Sequence, residues 1–237
     1  MGERVGLAKA GLYFDGVSGA DGDAIVAACR AQAEAGAAAL PAGVDRRLAR
    51  RVVDMPVLPH QLVMARSPKP FDFAWQLSSA DEGALAAMEA AIVAMADAVG
   101  TMIDRSHAAV LVGKEIAITR GDGPIYNIMP LRRLPALDHA TFMHHWFDRH
   151  AALGEGVEGV RYRQNHVDYP PTEALAARLG LDFAPMDGLT ESYFDSVDAA
   201  VAILSQEDVA VGAIDDERRF IDHDRSQFAL YETVWRV

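Results

Sequence analysis

Three patterns in the second half of this chain have residue types and spacing suited to proton transfer. In the first, Phe142, Trp146 and His150 recur at i, i+4 and i+8. That spacing sets an imidazole on the apolar stripe of a helix, beside two large aromatics. In the second, Tyr162, Gln164 and His166 alternate along a strand-like run and share one face. An imidazole titrates near neutrality, so either histidine suits a general acid or base; each also has a plain structural reading as a hydrogen-bonded core histidine. In the third, Asp222-His223 precedes the last strand-like run, where Asp222 either orients a histidine or caps its loop. Glu191 and Tyr193 alternate with Ser192, and a carboxylate there faces either a cavity or solvent. These patterns make His150, His166 and Asp222 the candidate catalytic residues. Trp146, Tyr162, Gln164, Glu191 and Tyr193 are the candidate substrate contacts.

Other chemistries find less support. His144 and Asp148 stand at i, i+4, a spacing that can hold a metal, but off the apolar stripe they read as a solvated pair. The one cysteine, Cys29, excludes an internal disulfide and a cysteine-based zinc site. Phosphate-cradling glycine loops, nucleophile elbows and dinucleotide fingerprints are absent from the sequence.

The 237 residues are 51% hydrophobic and 24% charged, as in soluble globular proteins. A net charge of −12 argues against a nucleic-acid partner, which needs a basic face. The cluster Arg46, Arg47, Arg50 and Arg51 reads as a solvated charged segment. The longest apolar stretch, 83–99, is broken by Glu89 and Asp97 and is too short for a bilayer. Residues 1–14 carry no signal-peptide pattern. The expectation is a cytoplasmic protein with a small-molecule ligand, and neither nucleic acid nor membrane as partner.

The candidates must be positioned by a small set of elements. In the second half, 125–131 is strand-like, Asp138 caps a helix over 139–153, and 160–167 has strand length. Pro170-Pro171 then breaks the strand before a short helix over 172–179. A strand over 189–194, a helix over 197–205 and a strand over 228–235 complete a β-α-β-β-α-β order, the ferredoxin-like unit. The first half gives this order more faintly: strand 5–14, helix 23–39, strand 71–78, helix 82–99 and strand 109–119. Its second strand is ambiguous over 52–63, where Pro56 and Pro59 intervene. The loop 120–124 links the halves. Asp104-Arg105-Ser106 recurs as Asp224-Arg225-Ser226, and Ser79-Ala80-Asp81 is echoed by Ser196-Val197-Asp198. The fold class is therefore α+β: two tandem ferredoxin-like units, 1–120 and 121–237, pack sheet to sheet within one chain. The face bearing Tyr162, Gln164 and His166 is expected to line a cavity between the sheets. Such a chain is a monomer by its own closure, or a homodimer.

Several motifs together carry a resemblance. Leu131-Arg132-Arg133-Leu134-Pro135 is followed by the Phe142, Trp146, His150 helix and by Tyr162-Arg163-Gln164-Asn165-His166. Asp187-Gly188, Glu191 and Phe194-Asp195-Ser196 come next, then Phe220-Ile221-Asp222-His223. This ordered set resembles the EthD family of the dimeric α+β barrel superfamily, over about residues 125–237. The resemblance implies a cofactor-independent catabolic enzyme acting on a small hydrophobic or aromatic metabolite. Its reaction would be dehydration, cyclisation or isomerisation, with His150 and His166 moving the proton. Some branches of the superfamily bind haem, which His150 would ligate; no other feature supports this, so no haem, metal or other cofactor is expected. The alternatives are a non-catalytic binding protein, a cofactor-free monooxygenase, or an oligomerising unit whose cavity is filled by its own side chains. Aligning Asp23 with Asp138 sets Ala27, Ala31 and Ala35 against Phe142, Trp146 and His150. The first copy is thus degenerate, and one site is expected, built by the second half and roofed by the first.

Overall fold

Alternating small or polar and large apolar residues along β1 (Gly6–Gly16) give one face to an outer core and the other to an interior. The same division holds along β2 (Asp45–Arg51), β3 (Phe73–Ser79) and β4 (Ile103–Ala117). It continues through β5 (Ile125–Leu131), β6 (Arg161–Val167), β7 (Gly188–Phe194) and β8 (Ala229–Arg236). These are the strands of a computed structural model that describes residues 6–182 and 186–237. Val5, expected to open the first strand, lies outside the described residues. The strands close a barrel in the order β1-β3-β2-β8-β5-β7-β6-β4. Each half supplies a four-stranded antiparallel sheet, and the β2–β8 and β4–β6 pairs join the two. The fold is an α+β barrel of the dimeric type, closed within one chain.

Helices cover the outside. Over the first sheet lie α1 (Gly22–Ala35) and α3 (Leu85–Ala98), and α2 (Pro59–Val63) falls between β2 and β3. Over the second sheet runs a helix in three pieces: α4 (His139–Met143), a π-helical stretch (His144–His150) and α5 (Ala151–Glu155). Three more follow: α6 (Tyr169–Leu179), which packs on β4 and α3 of the first half, α7 (Val197–Leu204) on the second sheet, and α8 (Glu207–Glu217) beside it. No helix among the described residues is long and apolar enough to cross a membrane.

Four expectations change. First, the arginine cluster is not a solvated segment: it is β2, and Arg47 is 3% exposed. Its guanidinium bonds Asp122 at 2.7 Å and lies over the rings of Tyr126 and Tyr193. Second, the strand ends before Pro170-Pro171 as expected, but the helix starts earlier than 172: the two prolines occupy the first turn of α6, where a missing N–H costs nothing. Third, Ala31 and Ala35 are exposed, while Ile25, Cys29 and Ala33 take the buried stripe of α1.

Fourth, the space between the sheets is filled. Lys9 Nζ lies 2.6 Å from Glu115 and 3.6 Å from Glu191. Arg163 bonds Glu115 at 2.8 Å and covers the Tyr193 ring, and the Tyr193 hydroxyl donates to Glu191 at 2.5 Å. Gln76 donates to Glu191 and accepts from the Tyr126 hydroxyl. Burial raises the Glu115 carboxyl, but Lys9 and Arg163 more than reverse this and leave it lowered. Paired charges, not a cavity, occupy the barrel's centre.

Candidate active site

The principal cavity, about 670 Å³, lies outside the barrel, between the second sheet and the helices that cover it. Its floor is the outward face of β5, β6 and β7, with Asn127, Met129, Tyr162, Thr190 and Ser192. Trp146, His150 and the turn after α5 form one wall; α8, with Glu217, forms the opposite one. Its rim carries the exposed Leu153, Gly156, Glu158 and Gln206, so the cavity reaches the surface there.

The helix beside it is wound to serve this wall. In a π-helix, residues five apart stand one above the other, and such turns recur at functional sites. His145 and His150 are so related, and both reach Asp216. His145 Nε2 is 3.1 Å from Asp216 Oδ1, and His150 Nδ1 is 2.9 Å from Asp216 Oδ2. Both rings pack against Phe220. Burial raises the Asp216 carboxyl, and the two imidazoles lower it by more. In an ordinary helix His145 would turn away from the stripe, which is why spacing alone left it outside the site.

One residue further along α8, Glu217 gathers two more imidazoles. Its Oε1 is 3.3 Å from His60 Nε2, and its Oε2 is 2.9 Å from His223 Nε2. His60 comes from the first half, on α2, and its ring stacks on Phe228 at 5.1 Å. Burial pushes the Glu217 carboxyl up, and His60 and His223 override it, holding it at about 2. The sequence reading missed Asp216, Glu217, His60 and His145. One signal was available: Ala210, Ile214 and Glu217 follow at i, i+4 and i+7, so Glu217 sits on the buried stripe of α8.

Of the expected residues, Trp146, His150 and Tyr162 line this cavity. Gln164 sits just behind the wall, with its amide donating to the Trp146 carbonyl at 2.9 Å and the Tyr162 oxygen at 2.8 Å. Trp146 Nε1 donates to the same Tyr162 oxygen at 3.1 Å. The others are corrected. His166 lines a separate cleft with Lys114 and Asp168, not the main cavity. Its Nε2 meets Gln164 Oε1 at 3.1 Å, and burial, with a smaller effect of His139, pushes its pKa down to about 4. Glu191 and Tyr193 point into the barrel, because alternation along β7 gives them the face opposite Thr190 and Ser192. Asp222 accepts from Arg225 at 2.7 Å, and its backbone oxygen accepts from Ser226, so it closes the loop before β8. His144 and Asp148 form an exposed pair at 2.7 Å.

The EthD domain family model matches residues 134–224. No curated protein matches the sequence. Solved structures match along nearly the whole chain. A candidate monooxygenase from Fusobacterium nucleatum subsp. nucleatum ATCC 25586 is 10% identical, with 99% of this chain and 95% of that chain covered and a TM-score of 0.55. Another from Lactobacillus acidophilus NCFM is 9% identical, covering 98% of each chain, with a TM-score of 0.53. A mutant chlorite dismutase from Candidatus Nitrospira defluvii is 10% identical, covering 98% of this chain and 93% of that one, with a TM-score of 0.53. At such identities the likeness is one of fold. Chlorite dismutases are haem enzymes, so the expectation of no cofactor is overturned. The donor set accommodates such a group: Asp216 takes the Nδ1 side of His150 and leaves Nε2 for a metal, the usual state of a ligating imidazole.

Proposed function

We propose that this protein is an enzyme that moves a proton on a small hydrophobic or aromatic molecule held in the 670 Å³ cavity. The observation that carries this reading is the pair His150–Asp216 at the cavity wall, with Nδ1 and Oδ2 2.9 Å apart. The carboxylate fixes the tautomer that keeps the proton on Nδ1, so the Nε2 lone pair is the base. Once Nε2 takes a proton, the imidazolium is stabilised by Asp216 and by the nearby ionised Glu217. The floor beside Trp146 and Phe228 is largely buried and apolar, which suits a hydrophobic substrate entering from the open rim. This chemistry serves dehydration, cyclisation or isomerisation next to a carbonyl or phenol.

A second reading, oxygen chemistry as in a monooxygenase, is supported by the fold likeness and by the same histidine. His150 Nε2 would hold the iron of a haem, with Asp216 behind the ring, and the haem would supply redox chemistry at oxygen. The test is a turnover screen with aromatic ketones, phenols and lactones, run on protein with and without added haem. Turnover without haem that is lost in His150→Ala supports proton transfer. Turnover that needs haem sinks it and favours the second reading.

A further inference from the structure

The first half has a pocket of its own, about 260 Å³, between its sheet and the helices α1 and α3. It exists because the facing sides of these helices carry residues too small to fill the gap. Ala33 of α1 and Gly36 and Ala39 of the tight helical turn after it (Gly36–Ala39) line it, with Ala87, Ala91 and Ala94 of α3. Ala39 and Ala90 are exposed, so the pocket opens to the surface between the two helices. Its inner end is closed by Trp75 of β3, which is 1% exposed. The Trp75 ring has a buried Nε1–H with no hydrogen-bond partner. An indole nitrogen can only donate, and native interiors rarely leave such a donor unmatched. The neighbours of Trp75 in the sheet are Leu12 and Leu48, and its ring packs on Trp235 at 5.8 Å. None of these side chains accepts a hydrogen bond, so the pocket is the side from which an acceptor can come.

We infer that this pocket binds a small neutral molecule, apolar apart from one acceptor oxygen, which receives the Trp75 Nε1–H. Size and polarity select that class. An apolar cavity of about 150 Å³ already admits benzene, so a pocket of about 260 Å³ has room for a substituted aromatic ring. Among the described residues no charged side chain lines it, and a charged ligand would lose its hydration there without a counter-ion. Besides Trp75, Gln32 is the only polar side chain among the described lining residues. An ordered water would thus find fewer side-chain partners than the roughly three it usually holds. The site is separate from the cavity at His150, and the inference does not depend on the chemistry proposed there.

The test is proton–nitrogen correlation NMR of the whole protein, read at the indole N–H of its three tryptophans, Trp75, Trp146 and Trp235. Substitution of each by Phe assigns the signals. Acetophenone should move the Trp75 signal downfield and saturably, as a new acceptor meets the N–H. Ethylbenzene, similar in shape but without the oxygen, should give no downfield shift. Ala91→Leu fills the pocket and should remove the Trp75 response to acetophenone. Any response of Trp146, which reports the main cavity, should stay as in wild type. A melting curve accompanies the variant, and Ala87→Val, a smaller filling, takes its place if Ala91→Leu does not fold. A Trp75 signal that neither ligand moves, an equal downfield shift with both, or an undiminished response in the filled variant would overturn the site. A response confined to Trp146 would support the main cavity alone and overturn this one.

Discussion

His60 and Glu217 meet at 3.3 Å across 157 residues of chain. Nearly every other group at the cavity wall belongs to the second half, so this contact is where the first half enters the site. His60 is 5% exposed and stacks on Phe228, which fixes the ring that faces Glu217. The first half therefore does more than roof its neighbour: it supplies a buried imidazole to the site's central carboxylate.

The first prediction concerns acid stability. The Glu217 carboxyl falls from an ordinary 4.5 to about 2 in the folded protein. A depressed carboxyl contributes stability in full above its ordinary value and loses it as pH falls through the folded value. Wild type should thus lose roughly 3 kcal/mol from this group between pH 5 and pH 2. Urea unfolding at several pH values measures the slope, and Glu217→Gln should flatten it. An equal slope in the variant would mean that the imidazoles do not hold this carboxylate in solution.

A second prediction separates the two histidines that sequence placed together. Replacement of His150 by Ala should abolish turnover, and Asp216→Asn should reduce it by freeing the ring. His166→Gln should leave turnover within a fewfold of wild type, because its ring lies outside the main cavity. By NMR, His166 should titrate near 4 rather than near its ordinary 6.5. Since its folded value is depressed, the stability it allows is complete above 6.5 and falls as pH drops toward 4. A His166 titration near 6.5 would contradict its buried, neutral state.

The third prediction is spectroscopic. If haem enters the cavity, wild type should give a Soret band of histidine-ligated iron at saturation. His150→Ala should shift that band and recover it with added imidazole. Asp216→Asn should alter the reduction potential without removing the ligand. An unchanged Soret band in His150→Ala would place any haem elsewhere.

The last prediction is steric. A Cβ at Gly188 would run into the six-membered ring of Trp146. The Trp146 ring is fully buried, packs on Phe142 and donates through Nε1 to Tyr162, so it can shift only by giving up those contacts. Gly188→Ala should cost about 1–3 kcal/mol by overpacking, read in a denaturant curve. Adding Trp146→Phe, which shortens the ring, should recover part of the loss.

The sequence by itself determined the elements that have a strong local period. Phe142 and Trp146 four residues apart mark a buried stripe wherever the helix packs, and both are buried. Alternation likewise puts Tyr162 and Gln164 on one face of β6 and Arg163 on the other. Alternation cannot say which face looks at a cavity, because that depends on the side the helices take. The structure turns Tyr162 outward under Trp146 and Arg163 inward to Glu115, so Glu191 and Tyr193 leave the site. Charged residues mislead for a related reason. Arg47 is buried only because Asp122 and two tyrosine rings, all distant in sequence, surround it. The site's carboxylates were hidden in the same way. Asp216 and Glu217 belong to an acidic run that looks solvated until a π-wound helix brings His145 and His150 to Asp216, while α2 and the loop before β8 bring His60 and His223 to Glu217. Local period is a property of neighbours along the chain. Pairing of buried charge is a property of neighbours in space, and only the tertiary structure decides it.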